Sequence, residues 1–133
     1  MKIDNNVANL IKGKNIAHIS TIMEDGAPHL TPIWIDCDSD YLLVNTTETR
    51  IKTKNILRDN RAALSIVDSN NPYCWAFVRG KLVESTSNGA DAHINKMSKK
   101  YLGMEEYLSA DRNERRIILK IEPYKQSFYN PTG

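Results

Sequence analysis

Residues 45–61 read Asn-Thr-Thr-Glu-Thr-Arg-Ile-Lys-Thr-Lys-Asn-Ile-Leu-Arg-Asp-Asn-Arg and gather side chains suited to gripping an anion. Thr46, Thr47 and Thr49 offer hydroxyls able to cap a helix. The segment from Thr49 to Arg58 has good helix formers and neither Gly nor Pro, which predicts a short helix. Its cations are badly placed for a helix left alone. Arg50 and Lys52 fall in the first turn, where the dipole disfavours each by about 0.3–1 kcal/mol. Arg50, Lys54 and Arg58 recur every four residues, and each like-charged pair costs about 0.2–0.5 kcal/mol. Such a conflict is tolerated where a ligand relieves it. Free N–H groups at a helix start, threonine hydroxyls, Arg and Lys together form a phosphate pocket. The competing reading is a solvated basic face.

The flanking elements must aim these groups at one point. Tyr41–Val44 is an apolar run that reads as a buried strand leading into the helix. Upstream, Val7–Ile11 has helical spacing between a cap at Asn5 or Asn6 and a stop at Gly13. Asn15–Met23 and His29–Asp36 read as two strands joined by Glu24-Asp25-Gly26-Ala27-Pro28, a strong hairpin signal. Pro32 cannot donate to a ladder, so its strand is expected at an edge or a bulge. Downstream, Ala62–Val67 is a strand, and Tyr73–Glu84 a longer one apolar on both faces. Tyr73, Trp75 and Phe77 lie on one face, with Cys74, Ala76 and Val78 on the other. A face not turned to the core needs a partner subunit, a planar ligand or a helix of the same chain. A second helix is expected from Ser87 to Gly103, with Ala90, Ile94, Met97 and Tyr101 at core spacing. Met104–Glu114 reads as a polar loop, Ile117–Glu122 as a last strand stopping at Pro123, and the tail shows no usable period. About six strands with helices at their connections suggest a small barrel.

Composition narrows the functions. The chain has 133 residues, enough for one domain, and a net charge of +2 is too small to argue for nucleic acid or an anionic membrane. Cys37 and Cys74 show no metal-ligand spacing and suit a reducing cytosol. No signal pattern or membrane-length apolar run stands out, so a cytoplasmic protein is expected. His18, His29 and His93 lie in different elements, Asp36 and Asp38 read as turn residues, and no P-loop or G-x-G-x-x-G occurs. With an anion pocket and aromatic walls but no acid–base set and no metal ligands, the chemistry is expected to come from a bound cofactor.

Longer motifs carry a resemblance. His18-Ile19-Ser20-Thr21-Ile22, then Glu24–His29 and Thr31-Pro32-Ile33-Trp34, resemble the opening of the pyridoxamine-phosphate-oxidase-like split-barrel flavoproteins. Thr46…Arg50-x-Lys52-x-x-Asn55, then Arg58-Asp59-x-Arg61 and Asp68, resemble that family more closely, in particular its short branch presumed to use the deazaflavin coenzyme F-420. Val78-Arg79-Gly80, Lys100-Tyr101-Leu102-Gly103 and Ile121-Glu122-Pro123 extend the likeness over nearly the whole chain.

The resemblance implies a mainly β (α+β) fold, a six-stranded split barrel with peripheral helices, forming a homodimer with cofactor sites at the subunit interface. It places Arg50 and Lys52 on the cofactor phosphate, with Asn45, Thr46 and Thr47 beside them and Asn55 orienting the group. Pro32, Ile33 and Trp34 would run along the ring system, and Tyr73 and Trp75 would supply aromatic contacts. Lys54 and Arg58 would meet the anionic tail of F-420, which favours F-420 over FMN at the same place. Relatives usually have Pro where this chain has Asn60. The Arg/His-bearing substrate motif of true pyridoxamine-phosphate oxidases is missing, so vitamin B6 oxidation is not expected. The expected function is transfer of a hydride to a small conjugated substrate. The alternatives are a non-catalytic FMN or F-420 carrier or sensor, and a biliverdin- or haem-binding protein.

Overall fold

Seven strands hydrogen-bond into one curled antiparallel sheet in the computed structural model, which describes residues 1–108 and 113–131. In chain order the elements are α1 (Asn5–Lys12), β1 (Ala17–Ile22), β2 (Pro28–Ile33), β3 (Asp36–Cys37), β4 (Leu42–Thr47), α2 (Ile51–Arg58), β5 (Arg61–Asp68), β6 (Asn71–Thr86), α3 (Ala90–Leu102) and β7 (Arg116–Tyr129). The sheet order is β2-β1-β5-β6-β7-β4-β3, so sheet neighbours are antiparallel throughout and the two edges are short. This is the mainly β split barrel expected, with three helices around it.

One core fills the curl. Val7, Leu10 and Ile11 of α1 and Ile56 of α2 pack against inward residues of the sheet such as Ile19, Val44, Leu64, Val78 and Leu119. On β6 the inward set is Cys74, Ala76 and Val78, as the alternation predicts. A smaller cluster of Ile94, Met97 and Tyr101 from α3 packs with Trp34 and Tyr107.

The hairpin between β1 and β2 turns on Gly26, whose φ of 88° is reached at little cost only without a Cβ. Pro32 sits in β2, an edge strand, and faces His18 of β1. The returning strand expected over His29–Asp36 is broken. β2 ends at Ile33, and the chain crosses at Trp34 and Ile35 to β3 at the opposite edge, which makes the count seven rather than six. Tyr101 holds that crossing. Its hydroxyl accepts from the Ile35 N–H at 3.1 Å and donates to the Asn15 carbonyl at 2.7 Å. Tyr101→Phe would leave both buried backbone groups unpaired, and is expected to lower unfolding free energy by about 1–3 kcal/mol in a denaturant titration.

Three further expectations need correcting. Thr46 and Thr47 are strand residues of β4 rather than a turn, because β4 pairs with β7 as far as Thr47 opposite Arg116. α2 therefore starts at Ile51, with Arg50 as its N-cap residue and no side-chain cap. α1 likewise begins after Asp4, not after an asparagine cap. Finally, β7 runs through Pro123 to Tyr129: a register shift opposite Arg79 and Gly80 accommodates the missing N–H, and the bulge breaks the alternation that would have marked the tail as strand. Of the loop expected over Met104–Glu114, residues 109–112 lie outside the described residues; Met104–Leu108 is irregular, as expected.

Candidate functional site

β4 delivers the stretch that begins at Asn45 to the mouth of a cleft of about 380 Å³ between β2, β4, α2, α3 and the start of β7. Of the residues proposed from sequence, Pro32, Ile33, Trp34, Asn45, Thr46, Arg50 and Lys52 line it together. Ile16, Ile94, Met97, Tyr107 and Arg116 complete the lining and were missed. Arg116 had a faint signal: it is a cation at the head of an apolar strand, directly across from the threonine run.

Arg50, Lys52 and Arg116 share this space. Among the described residues, no carboxylate forms an ion pair with Arg50, Lys52 or Arg116. Of the acids nearest in sequence, Glu48 pairs with Arg115 at 3.2 Å, while Glu114 accepts from the Thr49 hydroxyl and also feels the charges of Arg50 and Arg116 without an ion pair to either. Burial, then the charges of Arg50 and Arg116, hold the Lys52 ammonium below its ordinary pKa. Burial likewise lowers Arg116, although Tyr107, Glu114 and Asp91 pull the other way. Lys52 is thus disfavoured by Arg50 and Arg116, and Arg116 by Arg50, which an incoming anion would reverse.

The backbone adds donors. At the start of α2 the N–H groups of Thr53 and Lys54 both bond the Arg50 carbonyl, whereas those of Ile51 and Lys52 precede the first intrahelical bond. The hydroxyls do not add to them. Thr53 donates to the Thr47 carbonyl at 2.7 Å, so Thr46, 3.1 Å from Thr53 Oγ1, must donate to Thr53. That spends the Thr46 proton inside the protein.

The opposite wall is aromatic. Trp34 stacks on Tyr101 with centroids 5.3 Å apart and planes 6° from parallel, and Tyr107 meets it edge-on at 5.7 Å. β2 is an edge strand, so part of its backbone beside Pro32 and Ile33 is free to meet a ligand.

The other proposed residues lie outside the cleft. Asn55 is buried and donates to Thr21 Oγ1 at 3.1 Å, while its carbonyl receives Arg58 at 3.1 Å; it ties α2 to β1. Arg58 also donates to the Ile22 carbonyl, and Lys54 stands exposed. Thr47 is buried beneath the strand end, off the cleft lining. Tyr73 and Trp75 sit around a separate hollow, where Trp75 stacks on Tyr129 at 4.6 Å and Tyr73 remains 71% exposed. No helix of the chain roofs that aromatic face among the described residues.

The histidines also need a correction. His93 Nε2 lies 3.0 Å from Asp36 Oδ2, which Lys96 also approaches at 3.3 Å, so two residues read as unrelated form a half-buried pair. Burial would raise the Asp36 carboxyl, but hydrogen bonds from His93 and the Cys37 N–H, with the Lys96 charge, outweigh it and hold the group below its ordinary value.

A sequence profile described as pyridoxamine 5'-phosphate oxidase matches residues 3–128. The chain belongs to this family. Solved structures share the fold over more than nine-tenths of both chains. An F-420 reductase superposes with a TM-score of 0.80 at 24% identity, covering 94% of this chain and 98% of its own. General Stress Protein 26 from Bacillus anthracis gives 0.70 at 18% identity, with 93% and 91% covered. HupZ from Group A Streptococcus gives 0.66 at 17% identity, with 93% and 91% covered. No helix among the described residues is long and apolar enough to cross a membrane.

Proposed function

We propose that this member of the pyridoxamine 5'-phosphate oxidase family is an oxidoreductase that holds coenzyme F-420 or FMN in the cleft. The observation that carries the reading is the crowding of three cations, none in an ion pair with a carboxylate among the described residues, opposite a stacked aromatic wall. The donor set fits a phosphate: Arg50 and Lys52, with the free N–H groups at the start of α2, would hold it. Pro32, Ile33 and Trp34 would lie along the ring system. When bound, such a cofactor supplies hydride transfer to a small conjugated substrate. Lys54 and Arg58 do not line the cleft and do not separate F-420 from FMN within it, so both cofactors stay within the proposal.

Homodimerisation and a cytoplasmic setting belong to the same proposal. The half-exposed Trp75, Phe77 and Tyr129, with Tyr73, form an aromatic face that a second copy would cover, bringing Tyr73 and Trp75 towards the partner's cofactor. Titration with FMN and with F-420, followed by tryptophan quenching, is expected to saturate at one cofactor per chain, with a dimeric mass by light scattering. Failure of both cofactors to saturate would overturn the reading. Saturable binding with no turnover on enones, quinones or bilins would assign a carrier instead.

A further inference from the structure

Arg116 is held differently from the other two cations of the cleft. Its Nε donates to Asn45 Oδ1 at 2.8 Å, and its guanidinium lies over the Tyr107 ring at 5.1 Å. One nitrogen and one face are therefore fixed, while the two terminal nitrogens have no hydrogen bond or ion pair among the described residues. A guanidinium restrained in this way presents the fork that matches a planar oxyanion.

The restraint is built inward from the cleft. Asn45 Nδ2 donates to the Ala90 carbonyl at 2.8 Å, and its Oδ1 faces Arg116, which can only donate, so the amide has one allowed orientation. His93 Nδ1, 3.1 Å from Asn45 Nδ2, must then accept, which puts the ring proton on Nε2, directed at Asp36. Side chains from four elements thus form one chain, Asp36–His93–Asn45–Arg116, whose polarity is set throughout.

The geometry points to Arg116 as a second oxyanion-recognition point in the cleft, distinct from the phosphate position at Arg50 and Lys52, with Asn45, His93 and Asp36 as its positioning residues. It would take a carboxylate-type group of the ligand, on either the cofactor's tail or the substrate. This rests on the cofactor reading above, and adds that the ligands filling the cleft carry an oxyanion besides the phosphate. The chain also makes recognition sensitive to acid. A proton on His93 Nδ1 would oppose the Asn45 amide, and turning that amide would set its NH₂ against Arg116. The charged groups facing this arrangement are Asp36 beside the histidine, Lys96 and Lys100 near Asp36, and Glu114, Asp91 and Arg50 near Arg116.

The test compares ratios of association constants in wild type, Arg116→Met, His93→Leu and His93→Asn. The first ratio sets F-420, which has carboxylates, against FMN, which has none, by tryptophan quenching. The second sets trans-cinnamate against trans-cinnamamide on the FMN-loaded protein, by flavin difference spectra. Arg116→Met is expected to lower one of them by about tenfold, the loss of a charge-assisted hydrogen bond. A fall in the first ratio puts the oxyanion on the cofactor, and a fall in the second puts it on the substrate. His93→Leu is expected to move the same ratio; His93→Asn, which keeps an acceptor near Nδ1 but does not titrate, should preserve it and flatten its decline in acid. If neither ratio moves in Arg116→Met, or if His93→Leu alters all affinities equally, the proposal fails. Failure of the cofactor reading is separate: neither FMN nor F-420 would then saturate the wild type.

Discussion

Replacing Arg50 and Lys52 together by alanine is expected to weaken FMN binding by about two to four orders of magnitude while leaving riboflavin, which lacks the phosphate, within about threefold of wild type. Charge-assisted hydrogen bonds to a phosphate contribute about 1.5–3 kcal/mol each, and two are removed. Tryptophan quenching by the two flavins measures the difference directly. A second readout has the opposite sign. Without ligand these side chains repel one another and Arg116, and burial already disfavours the Lys52 charge. The double variant without cofactor should therefore melt no lower than wild type, whereas FMN should raise the melting temperature of wild type alone. A solvated basic face would give neither result: FMN and riboflavin would respond alike. Melting well below wild type would mean that the two cations serve the fold, and the phosphate assignment would be lost.

That expectation could be framed from sequence because the anomaly was local. Cations in the first turn of a helix violate a rule that acts within one turn, and the conflict is visible in consecutive residues. The hairpin at Asp25-Gly26, the edge position of Pro32 and the core spacing of α3 were legible for the same reason. What stayed hidden depends on contacts between distant elements. His93 and Asp36 are 57 residues apart, and nothing in the helix around His93 announces an acid on β3. Arg116 becomes a cleft residue only because β7 pairs with β4 in the register that sets it opposite Thr47. Asn55 was expected to orient the group; it lies behind the cleft, where its amide joins α2 to β1. Thr46 and Thr47 looked like turn residues because they begin a polar run, but β-branched residues suit a strand equally well, and pairing with β7 decided it.

The largest expected loss of stability from one small substitution lies at Gly80, on the ladder joining the cleft to the rest of the sheet. Gly80 is buried in β6 at the register shift opposite Pro123. A Cβ there would come within 2.6 Å of Ile121 Cγ2 and 2.9 Å of the Glu122 carbonyl oxygen. Neither neighbour yields easily. Ile121 is fully buried and stiff at χ1, and the Glu122 oxygen belongs to the backbone of β7. Moving that backbone would disturb the bulge that accommodates Pro123, whose carbonyl also receives the N-terminal ammonium at 3.1 Å. Gly80→Ala is therefore expected to cost about 2–4 kcal/mol, at the upper end for overpacking, and Gly80→Val more. Reversible denaturant unfolding measures the cost, and a loss below about 0.5 kcal/mol, the range of an ordinary surface change, would refute the steric argument. The cause can be isolated by removing the methyl in the way. Ile121→Ala alone leaves a cavity and destabilises, but in the Gly80→Ala background it also relieves the clash, so the two costs should fall short of additive by about 1 kcal/mol or more. Full additivity would locate the damage in the backbone at Glu122 instead, and would predict that no side-chain substitution at position 121 restores the ladder.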